Sequence, residues 1–526
     1  MRSSRREIPA GVRDVIRLRM ARLPEATVSL LRLGAVAGRN FDLEVVAEAA
    51  GEDVDDALER VEAALLVGLV VEHPGRLGGY RFSHDLVRDT LYQELSAARR
   101  ARAHRAVGEA LERVGDEGDT LEIAQHFFVA TPLVGRDKAY EWALRAADRA
   151  SRLLAFEQVE EQLRRALDLT VGMAPGLEAA RRELTAQVRL GSLLLMTSGY
   201  SAPEAGRAWS RAAELCRTLP DTAEHPPAMW GAWSYACVRG EFSRALALAQ
   251  ELGDRARRGG DMQFRLVAHH TLGLTLWHLG RLDEADTQLR QLGELCAGLP
   301  AEFFTGAMRD RDLRVSHLIF GSVVHALQGR TAVDAELSAA FEVAQRSGSP
   351  FTVVTVLMLA AVAHAVRGDR PAAASRAGEA ATLGARHGFR QVAYIAEILC
   401  GWGAADPDEM RRALAASEAT GSRMLLHLFL GLLAEVELGL GRRAAALACL
   451  ERGLAESEAT GEAFWLAELH RLRGEVLLRE GSDRAMDARA AFERALSVAR
   501  SQGAGVVERR VADSLRRSST AGMEAG

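Results

Sequence analysis

Four glycines constrain this chain more than any other feature of its sequence. Gly240, Gly280, Gly368 and Gly441 each stand five residues ahead of an alanine, at Ala245, Ala285, Ala373 and Ala446. They lie 40, 88 and 73 residues apart, close to one, two and two copies of one unit, and Gly329 and Asp406 fall in the two gaps. A glycine supplies the left-handed residue that a tight turn between antiparallel helices needs. A small residue early in the second helix lets the first helix approach closely. Small residues also recur one helix earlier, at Gly273 before Ala285 and at Ala434 before Ala446. One such unit cannot bury its own apolar face. Residues 116–512 are therefore expected to form about eight to ten stacked helix pairs, with stability close to a nearest-neighbour sum.

The small positions match those of the tetratricopeptide repeat, at a period of ~37–40 residues rather than the standard 34. A second set of glycines, Gly253, Gly348, Gly388, Gly421, Gly461 and Gly503, is expected to end the second helices. The stretch HHTLGLTLWHLGRLDEADTQLRQL from His269 is the clearest single unit. The seven tryptophans, among them Trp230, Trp233, Trp277 and Trp465, fall at helical spacing and read as inter-helix core. Loops are expected at Pro220–Pro227 and Leu299–Met308. The tail 513–526 is expected to be disordered.

The first 115 residues have a different texture. Helical stretches follow Pro9 and Pro24, Asp42 suits an N-cap, and Gly38, Gly51 and Gly68 suit helix ends. Leu69–Glu72 and Tyr80–Ser83 flank a turn rich in glycine, which predicts a β-hairpin. Ser83 or Asp85 is expected to cap the helix that follows. Helices followed by a hairpin predict a winged-helix domain. The fold class is thus mainly α: a winged-helix-like domain at 1–115, then a helical superhelix.

Function classes are narrowed by charge. The 526 residues carry a net charge of -5, and 26% are charged. Residues 1–113 hold 18 arginines and 18 acidic residues, and the helix before the hairpin carries Asp53, Asp55, Asp56, Glu59 and Glu62. That face repels phosphate, so direct DNA binding is not expected. Lys138 is the only lysine, and Ala139 follows it. A P-loop needs a lysine followed by Ser or Thr, so the chain has none and no catalytic residues are expected. The five cysteines are scattered without a CxxC, and no metal site is expected. His269 and His270 are adjacent, so on a helix they face apart. The apolar runs Thr352–Val366 and Leu425–Leu433 are short of the ~20 residues of a membrane span and read as buried helices. A cytoplasmic protein is expected, with no membrane partner.

The run FSHDLVRDTLYQELSAARRARAHRAVGEALE from Phe82, with LEIAQHFFVA containing His126, resembles the winged-helix region of STAND-class signalling NTPases. Within that class it resembles the large ATP-binding LuxR-type regulators and their cyclase-linked relatives. IPAGVRDVIRLRMARLPEATVSLLRLGAVAGRNFD resembles the stretch ahead of it. The resemblance implies a role for His84 and Asp85, which fall where relatives carry Met-His-Asp. There the histidine contacts the β-phosphate of bound ADP, and the aspartate orients the helix start. Ser83 departs from that pattern. The resemblance also implies a P-loop domain ahead of Ile8 and a terminal helix-turn-helix, and the chain carries neither. The expectation is a regulatory module from a truncated or split STAND regulator. Its superhelix groove would take a protein, peptide or small inducer. ATP or ADP would enter only with a partner NTPase domain, and the chain would need no cofactor of its own.

Overall fold

The computed structural model describes residues 10–259, 261–300 and 313–524. Twenty-seven α-helices and three short strands fall among them, in two compact units, Met1–Leu193 and Leu194–Gly526.

The smaller unit opens with α1 (Ala10–Met20), α2 (Glu25–Ala37), β1 (Asn40–Asp42), α3 (Leu43–Ala50) and α4 (Val54–Leu66). The strands β2 (Val70–Glu72) and β3 (Gly79–Phe82) form the expected hairpin, pairing Val70 with Phe82 and Glu72 with Tyr80. β1 adds an unexpected third strand on the other side of β3, with Phe41 opposite Tyr80. Three residues are too few to show alternation in a sequence. The sheet's apolar face stacks Phe41 on Tyr80 and Phe82, at ring separations of 6.0 and 5.3 Å. Leu31, Val46, Val61 and Leu91 close this core. Asp42 caps α3 by accepting from the Glu44 amide, and Gly51 ends that helix at φ 70°.

The unit continues through α5 (Asp85–Gln93), α6 (Ala97–Val114), α7 (Thr120–Val129), α8 (Thr131–Val134), α9 (Arg136–Arg152) and α10 (Phe156–Val171). α11 (Leu177–Ser198) crosses the boundary between the units. The break expected near 115 is therefore not where the chain divides. A second core joins Val36 and Val45, from α2 and α3, to Val107, Phe127, Tyr140 and Leu169. That shared burial fuses the first helical hairpins to the sheet-bearing part, which composition alone does not reveal.

The larger unit begins with α12 (Pro203–Thr218) and then repeats in pairs. These are α13 (His225–Val238) with α14 (Phe242–Arg257), α15 (Met262–His278) with α16 (Leu282–Ala297), and α17 (Leu313–Gln328) with α18 (Val333–Ser347). α19 (Pro350–Arg367) pairs with α20 (Arg370–His387), α21 (Arg390–Ala404) with α22 (Pro407–Ala419), and α23 (Leu426–Gly439) with α24 (Arg443–Thr460). α25 (Leu466–Glu480), α26 (Ala485–Gln502) and α27 (Gly505–Glu524) end it. Stacked antiparallel pairs of this kind are an α-solenoid.

Details depart from expectation. α27 is helical to Glu524, so the tail from 513 is not disordered there; Ser514 is buried and donates to Glu475 at 2.6 Å. Gly253 lies inside α14, which runs on to Arg257, whereas Gly348, Gly388, Gly421, Gly461 and Gly503 take positive φ at helix ends. In the pair without a turn glycine, Ala405 takes the left-handed conformation at φ 53° and Asp406 caps α22. The loop at Pro220–Pro227 ends early, because Pro226 and Pro227 sit in the first turn of α13. Most of the loop expected at Leu299–Met308 lies outside the described residues.

The pairs wind into successive turns that bond to each other directly. The Val238 carbonyl, ending α13, accepts from the amides of Arg423 and Met424 at 2.8 and 3.3 Å. The His278 carbonyl, ending α15, accepts from Ala463 and Phe464 at 2.7 and 3.3 Å. The acceptors stand two residues before Gly240 and Gly280, and the first donors two residues after Gly421 and Gly461. α17 also packs on α27. Each junction joins helices ten apart, so one turn holds five pairs. Among the described residues one helix, α19, is long and apolar enough to cross a membrane, and 67% of it is buried within the fold.

Candidate functional site

Several first helices, α13, α19 and α23 above all, are apolar on nearly every side. In α13, HPPAMWGAWSYACV, Tyr235 alone escapes full burial. Such helices must be covered on both faces. One face meets the second helices, and the other turns inward. The inner faces of α13, α15, α17, α19 and α21 surround a cavity of about 180 Å³. Trp233, Trp277, Phe320 and Phe351 supply its aromatic wall, and Val356 and Ile395 part of its aliphatic wall. Met424 and Leu425, from the next turn, reach its edge. Leu425 is buried with φ 63°, a left-handed conformation that costs a leucine about 1–2 kcal/mol.

The polar groups of the wall are mostly satisfied within it. Trp233 Nε1 donates to Thr275 Oγ1 at 2.8 Å, and Ser316 Oγ lies 2.7 Å from His270 Nδ1. Gln391 Nε2 donates to Ser422 Oγ at 2.9 Å. Burial pushes His270 down to about 4, so its ring is neutral near pH 7. Trp277 Nε1 is buried and meets no acceptor among the described residues. No Asp, Glu, Lys or Arg lines the cavity among the described residues.

Beside the cavity lies the junction between turns. Glu462, 1% exposed, accepts from His278 Nδ1 at 2.7 Å, His427 Nδ1 at 3.1 Å and the Leu425 amide at 2.9 Å. His427 Nε2 in turn accepts from the Trp465 amide at 3.3 Å. Burial would raise the Glu462 carboxyl, but the His427 and His278 rings against it prevail and hold it at about 2. It is thus an ionised carboxylate, fully bonded in the interior. Leu425, which it holds, is also a cavity residue, so the junction and the cavity share an element.

The small residues named from the sequence surround this arrangement. Gly240, Gly280, Gly368 and Gly441 adopt φ between 73 and 80°. Ala245, Ala285, Ala373 and Ala446 are wholly buried, and Ala434 nearly so. A Cβ on Gly273 would lie 3.1 Å from Leu289. Gly280 and Gly368 also serve the winding: a Cβ there would come within 2.5 Å of Gln502 and 2.9 Å of Arg510, both from the next turn. At Gly441 a Cβ would meet nothing within 4 Å. Of the tryptophans, Trp402 and Trp465 are core, while Trp233 and Trp277 are both core and cavity wall. The cavity and the Glu462 junction were not anticipated. Their traces in the sequence are first helices without a polar face and a lone Glu after Gly461 in TGEAFW.

His84 and Asp85 lie in the smaller unit. His84, rather than Ser83 or Asp85, occupies the N-cap of α5, and its side chain makes no cap bond. Both residues are exposed, and Asp85 pairs with Arg39 at 3.1 Å. Ser83 Oγ donates to the Gly68 carbonyl at 2.9 Å, tying the end of β3 back to the start of β2. His126 is buried instead, its Nδ1 2.8 Å from His104 Nδ1, and Tyr92 Oη lies 3.0 Å from His104 Nε2. Burial, the neighbouring His126 ring and Arg100 push His104 down to about 4. Lys138 bonds Glu112 at 2.6 Å over the Phe127 ring. His269 bonds Gln288 on α16 while His270 faces α17, and among the described residues no three potential ligands gather for a metal.

The arrangement defines a class: a wound α-solenoid with an uncharged interior cavity, carried with a helix-and-sheet unit. No known family profile matches the chain. A Rhizobium meliloti (strain 1021) protein, described as uncharacterized, is 27% identical over 459 residues, covering 84% of this chain and 44% of that protein. The chain thus spans less than half the length of that relative. Among solved structures, the STAND protein with a tetratricopeptide repeat sensor from Pyrococcus horikoshii is similar over 90% of this chain and 68% of its own. It shares 12% identity, with a TM-score of 0.44. A Rap protein complexed with Competence and Sporulation Factor is similar over 73% of this chain and 99% of its own, at 12% identity and a TM-score of 0.44. At such scores no residue correspondence is established.

Proposed function

We propose that this chain is the regulatory sensing and interaction module of a STAND-type, ATP-dependent regulator, with transcription as its output. The single observation that carries this is the cavity inside the superhelix, whose edge is built by the following turn. An occupant would bear on how the turns close, which is what a sensor requires. A protein or peptide partner would use the remaining inner surface. The order α2, β1, α3, α4, β2, β3 supports a winged helix in the smaller unit. The exposed acidic residues Asp55, Asp56, Glu59 and Glu62 on α4 speak against direct DNA reading by it.

His84 favours one companion reading, a split ATPase whose NTPase domain lies on another chain. An exposed histidine at a helix N-terminus, where no side chain caps the helix, suits a phosphate oxygen delivered by a docked domain. Asp85, paired with Arg39, would hold the helix start. In this reading the chain alone hydrolyses nothing and needs no cofactor, and a cytoplasmic setting follows from the nucleotide. The experiment adds a separately expressed NTPase domain of the related regulators and measures retained ADP. His84→Ala is expected to lower ADP affinity at least threefold without changing the melting of the chain. Unchanged affinity sinks the nucleotide role, and ATP turnover by the chain alone sinks its assignment as a non-enzyme.

A further inference from the structure

We infer that the cavity ringed by α13, α15, α17, α19 and α21 is a binding site for an uncharged, ring-sized apolar molecule. This rests on the reading of the array as a sensor and narrows what it senses. The cavity measures about 180 Å³. An apolar cavity of ~150 Å³ admits benzene, so one ring with a short substituent fits and a folded-in peptide segment does not.

Charge narrows the class further. Among the described residues no Asp, Glu, Lys or Arg lines the wall, and its two histidines are already engaged, His270 with Ser316 and His278 with Glu462, so a carboxylate, phosphate or ammonium would lose its water and gain no free partner. His270 is neutral and already engaged with Ser316, so it offers no cation. Sugars are disfavoured for the same reason: each hydroxyl needs a partner, and the wall is almost wholly apolar. The walls themselves favour a flat ring. Trp233 meets His270 edge-on at 5.6 Å, and Trp277 and Phe320 lie 5.8 Å apart. Such faces and edges take an aromatic guest in stacked or edge-to-face geometry.

The guest would be held between two turns of the array, because Met424 and Leu425 complete the wall. Leu425 is bonded through its amide to Glu462, so an occupied cavity stabilises the junction that closes one turn on the next.

The test uses the full chain with indole, acetophenone and benzoate, read by calorimetric titration and thermal unfolding. The two uncharged rings are expected to raise the unfolding midpoint by about 1–2 °C at ten times their Kd, and benzoate to leave it unmoved. Val356→Phe, filling the cavity at a buried wall position, is expected to lower their affinity at least tenfold with an unchanged circular dichroism spectrum. Should that variant misfold, Val356→Ala enlarges the cavity and is expected to shift preference from indole toward naphthalene. The inference is overturned if neither uncharged ring binds, or if benzoate or an apolar peptide binds better. Binding that ignores both variants overturns it as well. Loss of probe binding with ADP capture intact removes this inference alone. The reverse result removes the partner-NTPase reading and leaves the cavity site standing.

Discussion

In pairs such as α13 with α14 and α23 with α24, the first and second helices have similar lengths and opposite characters. In α13, 13 of 14 residues are buried, but in α14 only 6 of 16. In α23 the share is 12 of 14, and in α24 it is 5 of 18. A second helix meets its neighbours on one side and water on the other, so it keeps an amphipathic pattern. A first helix meets its own partner, the adjacent pairs, the cavity and the following turn. The difference shows that the array is wound rather than merely stacked. An open row of pairs would leave the inner faces of the first helices wet, and TVVTVLMLAAVAHAV in α19 could not tolerate that.

If winding is what separates the two sets, the largest effect should come from breaking a junction between turns. Glu462→Ala is expected to destabilise the chain by about 3–5 kcal/mol in urea unfolding, because it strips a buried charge from two histidines and an amide. The wild type should also show the matching acid dependence. A carboxyl depressed to about 2 stabilises the fold above its unfolded value near 4.5, and that stability is lost as pH falls between 4.5 and 2. A variant as stable as wild type, with the same acid slope, would mean that the turns do not need this junction.

The next effect sharpens the comparison within one motif. Gly280→Ala meets both positive φ and Gln502 from the next turn and should cost about 2–3 kcal/mol, whereas Gly441→Ala meets only the φ penalty and should cost about 1 kcal/mol. Equal costs in thermal melts would remove the inter-turn contact from the account. A smaller effect is expected at His325 on α17. Its bond to Glu336 outweighs burial, Asp286 adds to it and Arg330 opposes it, so its pKa is raised. A raised histidine gives stability that is complete below its unfolded value near 6.5 and is lost as pH rises through the folded value. His325→Gln should flatten that alkaline-side slope; an unchanged slope assigns it elsewhere. The smallest change belongs to the outer face. Arg452→Ala, breaking an exposed pair with Glu418, should stay within about 0.5 kcal/mol.

Much of the fold was legible because it is local. Gly240, Gly280, Gly368 and Gly441 mark turns by a backbone requirement that any reader of the sequence can apply, and the buried alanines follow from it. The hairpin at Val70–Phe82 was legible from its turn, while β1 was not, since a three-residue strand is defined only by its partner β3. The boundary near 115 failed because Val36 and Val45 share a core with Phe127 and Tyr140, a fact of packing without a compositional mark. Ala405 hid one turn, because alanine rarely takes the conformation that glycine advertises. The cavity was invisible for a related reason: Trp277 and Val356 look like any core residue until the winding places nothing opposite them.

The sequence by itself determined the repeating unit, its turns, its small-residue contacts and the burial of its two most apolar runs. Those properties reside in neighbours within some 40 residues. Only the tertiary structure decided that five pairs make a turn, that Glu462 meets His278 across 184 residues, and that the inner faces enclose a space. The small rotation between pairs accumulates over the whole array. Contacts at that distance depend on its sum, which no single repeat encodes.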